Sequence, residues 1–595
     1  MPGIVGIISA QPAAECQRLV NEMVKAMSHE PFYVSDTVAA PELRVYGGLV
    51  AIANTPALQK VATNATQDLV LLLAGECWVD DDPGDDMVAA LFRGYEKHGD
   101  KFFEKLNGNF SALLIDKRKK LSFLFNDRYG MERIHVYESA EGIFFASEAK
   151  ALLRIVPQTR VFDPDGVAQY LAYGCTIDWR TLFCGVHLLP GGSLWSFNFG
   201  KVHKGKYFSP DAWERQGPLS TEEFEQKFQQ VFKGVLPHYL RYSSRLGIAL
   251  TGGLDTRMIM ACLPEMSPGP ICYTFTGEKG MTNDDKIAIK VAQACHLEHR
   301  LIRMGPDFFS NFGAHLDRTV HATDGCSGLT GTHEIYFNRQ GRELSPVRLT
   351  GVFGSEVFRG ISTFHPLGIA RNLLAPELRQ ATVTYEREKT PGGDCNGNTF
   401  AAFREAPWHL AGNLYASRSQ VFFRTPYLNN RLVELAYQTP QSLRASPRAA
   451  LRLVGDNHKV LRSIVTDRQV GGTAGPLRNL VNRFFSQVLF KVDYYYSDGM
   501  PDRLTAMDPV LEGVNSVVPI LGHHKYLHYR IWLRKRLAPF VRERLSDPSI
   551  LGHAFWNREF LDQLADSHIK GKRNCVQEIG AVLTLNSIER QLFKN

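Results

Sequence analysis

Over the first 200 residues, short apolar runs broken by turn residues recur at positions 4–9, 69–73, 110–115, 121–125 and 143–145, the length and spacing of β-strands. Between them, residues 16–27 and 87–98 repeat apolar side chains every three or four positions, which predicts amphipathic helices. Sheets with an apolar face and helices with an apolar stripe must bury against one another, so a layered α/β or α+β domain follows. The turn cluster His187-Leu188-Leu189-Pro190-Gly191-Gly192 and a last hairpin-like stretch close it near Tyr207.

The pattern changes after residues 208–220, a linker by composition. A long amphipathic helix over 221–239 leads to an apolar strand at 246–250. A strand at 271–276, a helix at 284–296 and a strand at 299–302 continue the alternation, which predicts a doubly wound parallel sheet. Residues 480–595 read as a mostly helical extension containing the basic segment 530–544. The expected division is therefore 1–207, a linker at 208–220, 221–479 and 480–595.

The chain has 595 residues, enough for two to four domains and too many for a single small binding module. Hydrophobic residues make up 44% and charged residues 22%, which excludes wholesale disorder. The net charge of +7 is too diffuse for a nucleic-acid-binding domain. The 10 cysteines form no CxxC pair or metal spacing and read as reduced thiols. The N-terminus MPGIVGIISA has no secretory pattern, and no run of about 18 apolar residues occurs. These features lead to the expectation of a cytoplasmic protein with no membrane or nucleic-acid partner.

Thr251-Gly252-Gly253-Leu254-Asp255-Thr256 lies between the strand ending at Leu250 and the next helix. Glycines admit a phosphate close to backbone N–H groups, the helix start adds a positive dipole, hydroxyls donate, and Asp255 could hold a metal on the phosphates. No Gly-Lys-Ser/Thr follows, so this is not a Walker A loop. The same six residues could also be a tight strand-to-helix turn with a capping threonine.

The hexapeptide resembles the SGGLDS loop of ATP pyrophosphatases, and further matches identify the asparagine synthetase family. Phe145-Ala146-Ser147-Glu148-Ala149-Lys150-Ala151-Leu152 is similar to that family's FASExKAL segment, and Asp127-Arg128-Tyr129-Gly130 to its RDxxG turn. Asp284, Ala288 and Val291-Ala292 fit the helix after the second strand. Arg424-Thr425-Pro426-Tyr427-Leu428-Asn429 resembles RVPFLD, and Lys459-Val460-Leu461-Arg462 resembles KxxLR. The matches run in family order from the start to about residue 470.

The resemblance implies an N-terminal-nucleophile-type αββα layered domain followed by a doubly wound parallel-sheet ATP-pyrophosphatase domain and a helical tail. It also implies ATP and Mg²⁺. A carboxylate would attack the α-phosphate, pyrophosphate would leave, and an amine or ammonia would displace AMP. The nucleotide residues it implies are Leu250, Thr251, Gly252, Gly253, Asp255, Thr256, Thr276, Thr350 and Gly351, with Asp255 and Glu356 as metal ligands and Lys459 as a catalytic cation.

Several positions depart from the family. The stretch of residues 350–360, TGVFGSEVFRG, resembles SGEGSDEVFGG, but Val352 replaces a glutamate tied to aspartate recognition and Ser355 replaces the metal-binding aspartate. Val470 stands where the family has a lysine, and Arg468, Arg462 or Lys459 could supply that charge instead. In the first half, residue 2 is proline where the family's glutaminase nucleophile is cysteine. The segment NGE reads Ala74-Gly75-Glu76, and RHRGPD reads Ser28-His29-Glu30-Pro31-Phe32. Asp86, within Gly84-Asp85-Asp86, keeps the acidic position. Cys77 is a replacement nucleophile or, as cysteines on apolar strands usually are, a small buried hydrophobe.

His299 and His333-Glu334 are candidate bases or packed residues, and Arg534-Lys535-Arg536 with Arg542 and Arg544 is a binding face or a solvated one. The sequence thus predicts an AMP-forming amide ligase without glutamine hydrolysis at residue 2, joining a small-molecule or peptide carboxylate to an amine. Asparagine synthesis is the conservative form, and Val352 counts against it. β-Lactam-forming synthetases and lasso-peptide macrolactam cyclases are similar relatives. A non-catalytic nucleotide-binding scaffold is the other class, and the oligomeric state, a homodimer included, is open.

Overall fold

The computed structural model describes residues 2–80, 86–199, 201–241, 245–387, 395–472, 487–517 and 521–594. Its first half stacks two six-stranded antiparallel sheets. One runs, edge to edge, Val186–Leu188, His135–Ser139, Gly142–Ala146, Gly3–Ser9, Val45–Ile52 and Tyr33–Ala40. The other runs Lys201–Lys206, Ser193–Asn198, Leu121–Asn126, Leu106–Asp116, Leu69–Val79 and Ala62–Thr63. Side chains on a strand alternate faces, and the first strand divides accordingly. Ile4 and Ile8 meet Leu72, Leu113 and Leu124 between the sheets, while Val5 and Ile7 meet Val20, Met23 and Val24 of the helix Ala13–Met27. The helix Met87–His98 covers the other outer face through Leu91 and Phe92. The layers are αββα, as the resemblance implied.

One strand runs further than its apolar run predicts. The expected 69–73 continues to Val79 because residues 69–79 pair without a break with Leu106–Asp116. Gly75, at φ +85°, lets the two backbones approach, since a Cβ there would lie 2.1 Å from the Asn109 carbonyl oxygen. Glycine and glutamate in the middle hid the continuation from a periodicity reading.

The second half opens on the helix Thr221–Leu240, whose Ser220 and Glu223 form a capping box. Five parallel strands follow in the spatial order His299–Arg303, Ile271–Thr276, Gly247–Ala249, Val347–Leu349, Phe422–Arg424. The order reverses between Gly247–Ala249 and Val347–Leu349, so the segments leaving these two strands diverge and open a crevice at their carboxyl ends. Both glycine-containing loops of the sequence lie there.

The tail is helical, as predicted, with Asp508–Val517, Tyr529–Arg534, Ala538–Leu545, Arg558–Ile569 and Val576–Ile588 among its helices. It shares one apolar core with the second half, where Leu533, Val541, Leu564 and Val582 join Phe308, Phe312 and Val320. The basic residues read as a binding face or a solvated one divide: the Arg534 side chain is 9% exposed, while those of Lys535, Arg536 and Arg542 are 56%, 40% and 55% exposed. Arg530 is 0% exposed and grips Asp508 with both terminal nitrogens at 2.7 Å, and Arg534 joins the same carboxylate. Lys535 pairs with Glu512 at 2.6 Å and Arg536 with Glu278 at 2.8 Å. The acidic partners are remote in sequence, so local charge counting could not reveal them. Among the described residues, no helix is long and apolar enough to cross a membrane.

Candidate functional site

The strand Gly247–Ala249 delivers the chain to Leu250, whose N–H donates to the Tyr273 carbonyl at 2.8 Å and whose carbonyl accepts the Thr274 hydroxyl at 2.7 Å. The backbone then turns through residues 251–253 into the helix Leu254–Ala261, capped at Gly253. The Gly252 N–H donates to Asp284 at 3.2 Å. Thr251 is exposed at the mouth of the turn, and its hydroxyl accepts the Gly253 N–H at 3.4 Å. Behind the turn Arg257, 1% exposed, donates to the Gly252 carbonyl at 3.2 Å and to the Ile464 carbonyl. A buried guanidinium thus ties the loop to the segment around 464–472.

The second loop, residues 350–353, enters the helix Gly354–Arg359 and lies directly on the first. A Cβ on Gly351 would be 2.5 Å from the Thr256 nitrogen, and one on Gly354 would be 2.7 Å from Asp255 Cγ. Glycine at these two positions lets the loops close on each other. The segment 424–429 supports them: the Thr425 hydroxyl donates to the Val352 carbonyl at 2.9 Å and the Tyr427 hydroxyl to the Asp255 carbonyl at 2.6 Å. Asn429 caps the helix Asn430–Tyr437.

Asp255 is the electrostatic centre. Ser355 Oγ donates to its Oδ2 at 2.6 Å, and Arg359 Nη2 stands 3.5 Å from both carboxylate oxygens while also donating to Ser355 Oγ. Burial raises the Asp255 carboxyl above its usual range, with Arg359 and Ser355 opposing the rise. Beside it, burial and then the charge of Asp255 push the Glu356 carboxyl up to about 7. Burial and Asp467 push Asp284 up to about 7.

The loop residues expected from the sequence come together around Asp255, with Thr256 and Thr350 buried beneath it. Thr276 is also buried, but its hydroxyl is engaged by Asp285 at 2.6 Å. Two expectations change. Asp255 and Glu356 do not form a fitting Mg²⁺ site, because a serine hydroxyl and a guanidinium already face the Asp255 carboxylate. Among the described residues, no cluster of three His, Cys, Asp or Glu side chains could hold a metal. Second, the cation at Asp255 is Arg359, whereas Lys459 is exposed at the start of the short helix Lys459–Ser463. Arg468 stacks on Phe490 at 3.6 Å and lies 3.4 Å from Asp467. The signal for Arg359 was present in the sequence, as an arginine at the first glycine of VFGG.

In the first half, a cavity of about 50 Å³ is lined by Pro2, Ala74, Glu76, Trp78, Glu132 and Arg418, among others. Glu76 Oε2 accepts Arg424 Nε at 2.8 Å, and Glu132 pairs with Arg418. Glu30 accepts Arg318 at 3.0 Å and Gln420 at 2.8 Å. Positions that the family's glutamine site would use are therefore engaged by the second half of the chain. Asp86 caps the helix Met87–His98 through the Ala89 N–H at 3.0 Å, while Gly84 and Asp85 lie outside the described residues. Cys77 is buried under that helix, and burial raises its thiol well above the ordinary range, so it is a packing residue and not a nucleophile. His299 meets the Thr274 hydroxyl at 2.9 Å, and His333 meets Tyr529 at 3.0 Å. The segment around Glu148 and Lys150 joins the halves, with Lys150 2.7 Å from Glu148 and 3.4 Å from Asp324.

Family models match both halves, a glutamine amidotransferase domain over residues 86–208 and asparagine synthase over 228–405. A putative glutamine-hydrolyzing asparagine synthetase of Mycobacterium bovis is 23% identical over 291 residues, 47% of this chain and 44% of that protein. One of Methanocaldococcus jannaschii is 21% identical over 277 residues, 46% of this chain and 53% of that protein. A glutamine-hydrolyzing asparagine synthetase of Bacillus subtilis is 25% identical over 285 residues, 45% of this chain and 38% of that protein. The matches thus span about half the length of these relatives or less. Among solved structures, glutamine phosphoribosylpyrophosphate amidotransferase from B. subtilis, complexed with ADP and GMP, covers 67% of this chain and 96% of that one. Identity there is 10% and the TM-score 0.27, so the fold rests on the topology above.

Proposed function

The chain belongs to the asparagine synthetase family, and from that premise we propose that it is an ATP-dependent, AMP-forming amide ligase that does not draw its amine from glutamine. A carboxylate oxygen of the acid substrate forms a bond to the α-phosphorus as the bond to pyrophosphate breaks. An amine then attacks the acyl carbon of the adenylate, AMP leaves with the bridging oxygen, and the amine loses a proton. One observation carries this reading: two glycine loops close on each other at the reversal point of a parallel sheet, with a helix start aimed into the crevice.

The start of Leu254–Ala261 offers first-turn backbone N–H groups and a positive dipole to the departing pyrophosphate, while the N–H groups of Gly252 and Gly253 are taken by Asp284 and the Thr251 hydroxyl. Arg257 and Tyr427 hold that backbone in place, so its donors need little rearrangement as negative charge develops. Val352, half-buried against the apolar core of the second half, speaks for an acid other than aspartate. Pro2, where the family has its cysteine nucleophile, and Ala74, where it has the asparagine of NGE, support the loss of glutamine hydrolysis. The amine is then ammonia, a free amine, or an amine on the substrate itself, as in a macrolactam or β-lactam cyclase.

A second reading, a relative that binds nucleotide without turnover, is favoured by the contacts of Ser355 and Arg359 with the Asp255 carboxylate. Carboxylate-dependent exchange of labelled pyrophosphate into ATP, screened over amino acids and peptides, separates the two. Exchange with any acid supports the ligase and identifies its substrate. ATP binding without exchange across the screen would replace it with the binding role.

A further inference from the structure

We propose that Arg359 is the resident cation of the phosphate loop, a guanidinium that takes the place of a divalent metal at Asp255 and lets this chain bind ATP metal-free. The inference deepens the function proposed above and rests on it. Two differences from the family motif combine here. Ser355 removes a negative charge where the resemblance has a metal-binding aspartate, and Arg359 adds a positive charge where it has glycine. Together they change the local charge by as much as one divalent ion would.

The two residues are four apart on one helix, so they share a face, and Arg359 Nη2 donates to Ser355 Oγ. From there the same nitrogen reaches both Asp255 oxygens at 3.5 Å. Backbone contact fixes the arrangement, because Gly354 sits against Asp255 with no room for a Cβ. The Arg359 side chain is 21% exposed, so it is partly open to solvent. All three contacts are made by Nη2, and each two-donor edge of the guanidinium pairs Nη2 with Nη1 or with Nε, so a second anion on either edge would share Nη2 with Asp255. Guanidinium groups match phosphate oxygens in a planar two-bond geometry and keep their charge at any working pH.

Of the other arginines near the loop, Arg257 is on backbone carbonyls, Arg468 is 54% exposed and lies against Phe490 and Asp467, and Arg462 lies beside Gly471.

Calorimetric titration of the full chain with ATP, in EDTA and in Mg²⁺, tests this. The wild type is expected to bind ATP in EDTA within about threefold of its affinity in Mg²⁺. Arg359→Met should weaken binding in EDTA by about ten- to a hundredfold, the effect of losing charge-assisted hydrogen bonds. Arg359→Lys, which keeps the charge, should fall between the two and guards against misfolding of the first variant. The double change Arg359→Gly with Ser355→Asp should bind ATP only when Mg²⁺ is present. Wild-type binding that demands Mg²⁺, or Arg359→Met binding unchanged in EDTA, would overturn the role of Arg359 and leave the ligase reading standing. Metal-free binding with no pyrophosphate exchange on any acid would instead sink the ligase reading and keep Arg359. ATP bound in neither buffer would sink both.

Discussion

Glu76 and Arg424 join the two halves of the chain across 348 residues of sequence: Arg424 Nε donates to Glu76 Oε2 at 2.8 Å, and Nη2 donates to the other oxygen. The arginine is 2% exposed, and its Nη1 also satisfies the carbonyls of Tyr239 at 3.0 Å and Arg241 at 2.7 Å.

Removing one partner of a buried pair leaves an uncompensated charge, which costs about 3 to 5 kcal/mol. Glu76→Met is therefore expected to lower the urea midpoint clearly, and Glu76→Met with Arg424→Met to recover part of the loss. A double-mutant cycle on the midpoints checks this. Equal, additive losses would show that the pair is not coupled.

Asp255→Ala should reduce ATP-to-AMP conversion at least a hundredfold, because it removes the acid that holds Ser355 and Arg359 at the loop. Chromatography of nucleotide products measures it. Retained turnover would mean that the phosphate loop has been misplaced.

Gly351→Ala puts a methyl group 2.5 Å from the backbone nitrogen of Thr256, where neither side can yield without opening the crevice. ATP affinity should drop tenfold or more, while the far-UV circular dichroism stays that of the wild type. Full affinity in this variant would mean that the two loops do not act together.

His568 gives the tail a dependence on pH. Its Nδ1 accepts the Cys575 N–H at 3.1 Å and its Nε2 faces the Arg530 carbonyl at 3.0 Å, an arrangement only the neutral ring satisfies. Burial, then the charge of Arg534, hold its pKa down at about 4. The folded state therefore binds fewer protons than the unfolded one between about 6.5 and 4, so this stability is present above 6.5 and is lost as pH falls through 4. The loss at pH 5 is about 2 kcal/mol. Urea unfolding of wild type and His568→Gln at pH 7 and pH 5 should show the gap between them narrowing toward acid. A constant gap would count against the buried neutral ring.

Element by element, periodicity found the helix Met87–His98 and the strand Ile271–Thr276 at their observed limits. It ended the strand Leu69–Val79 early, at the glycine and glutamate that backbone pairing carries through. The phosphate-type loop was legible because its glycines stand directly after an apolar strand. Arg359 and Ser355 stood out as departures from the motif, but their pairing with Asp255 was not legible, since Arg359 lies 104 residues away and meets it only after the sheet order brings their loops together.

The sequence by itself determined the kind and order of the elements, and with them where the glycine loops fall, because apolar spacing and turn chemistry act over a few neighbouring residues. Only the tertiary structure decided which charges meet. Glu76 found Arg424, Asp508 found Arg530, and Asp255 found Arg359, because ion pairing depends on distance in space and each of these distances is set by how sheets and helices stack.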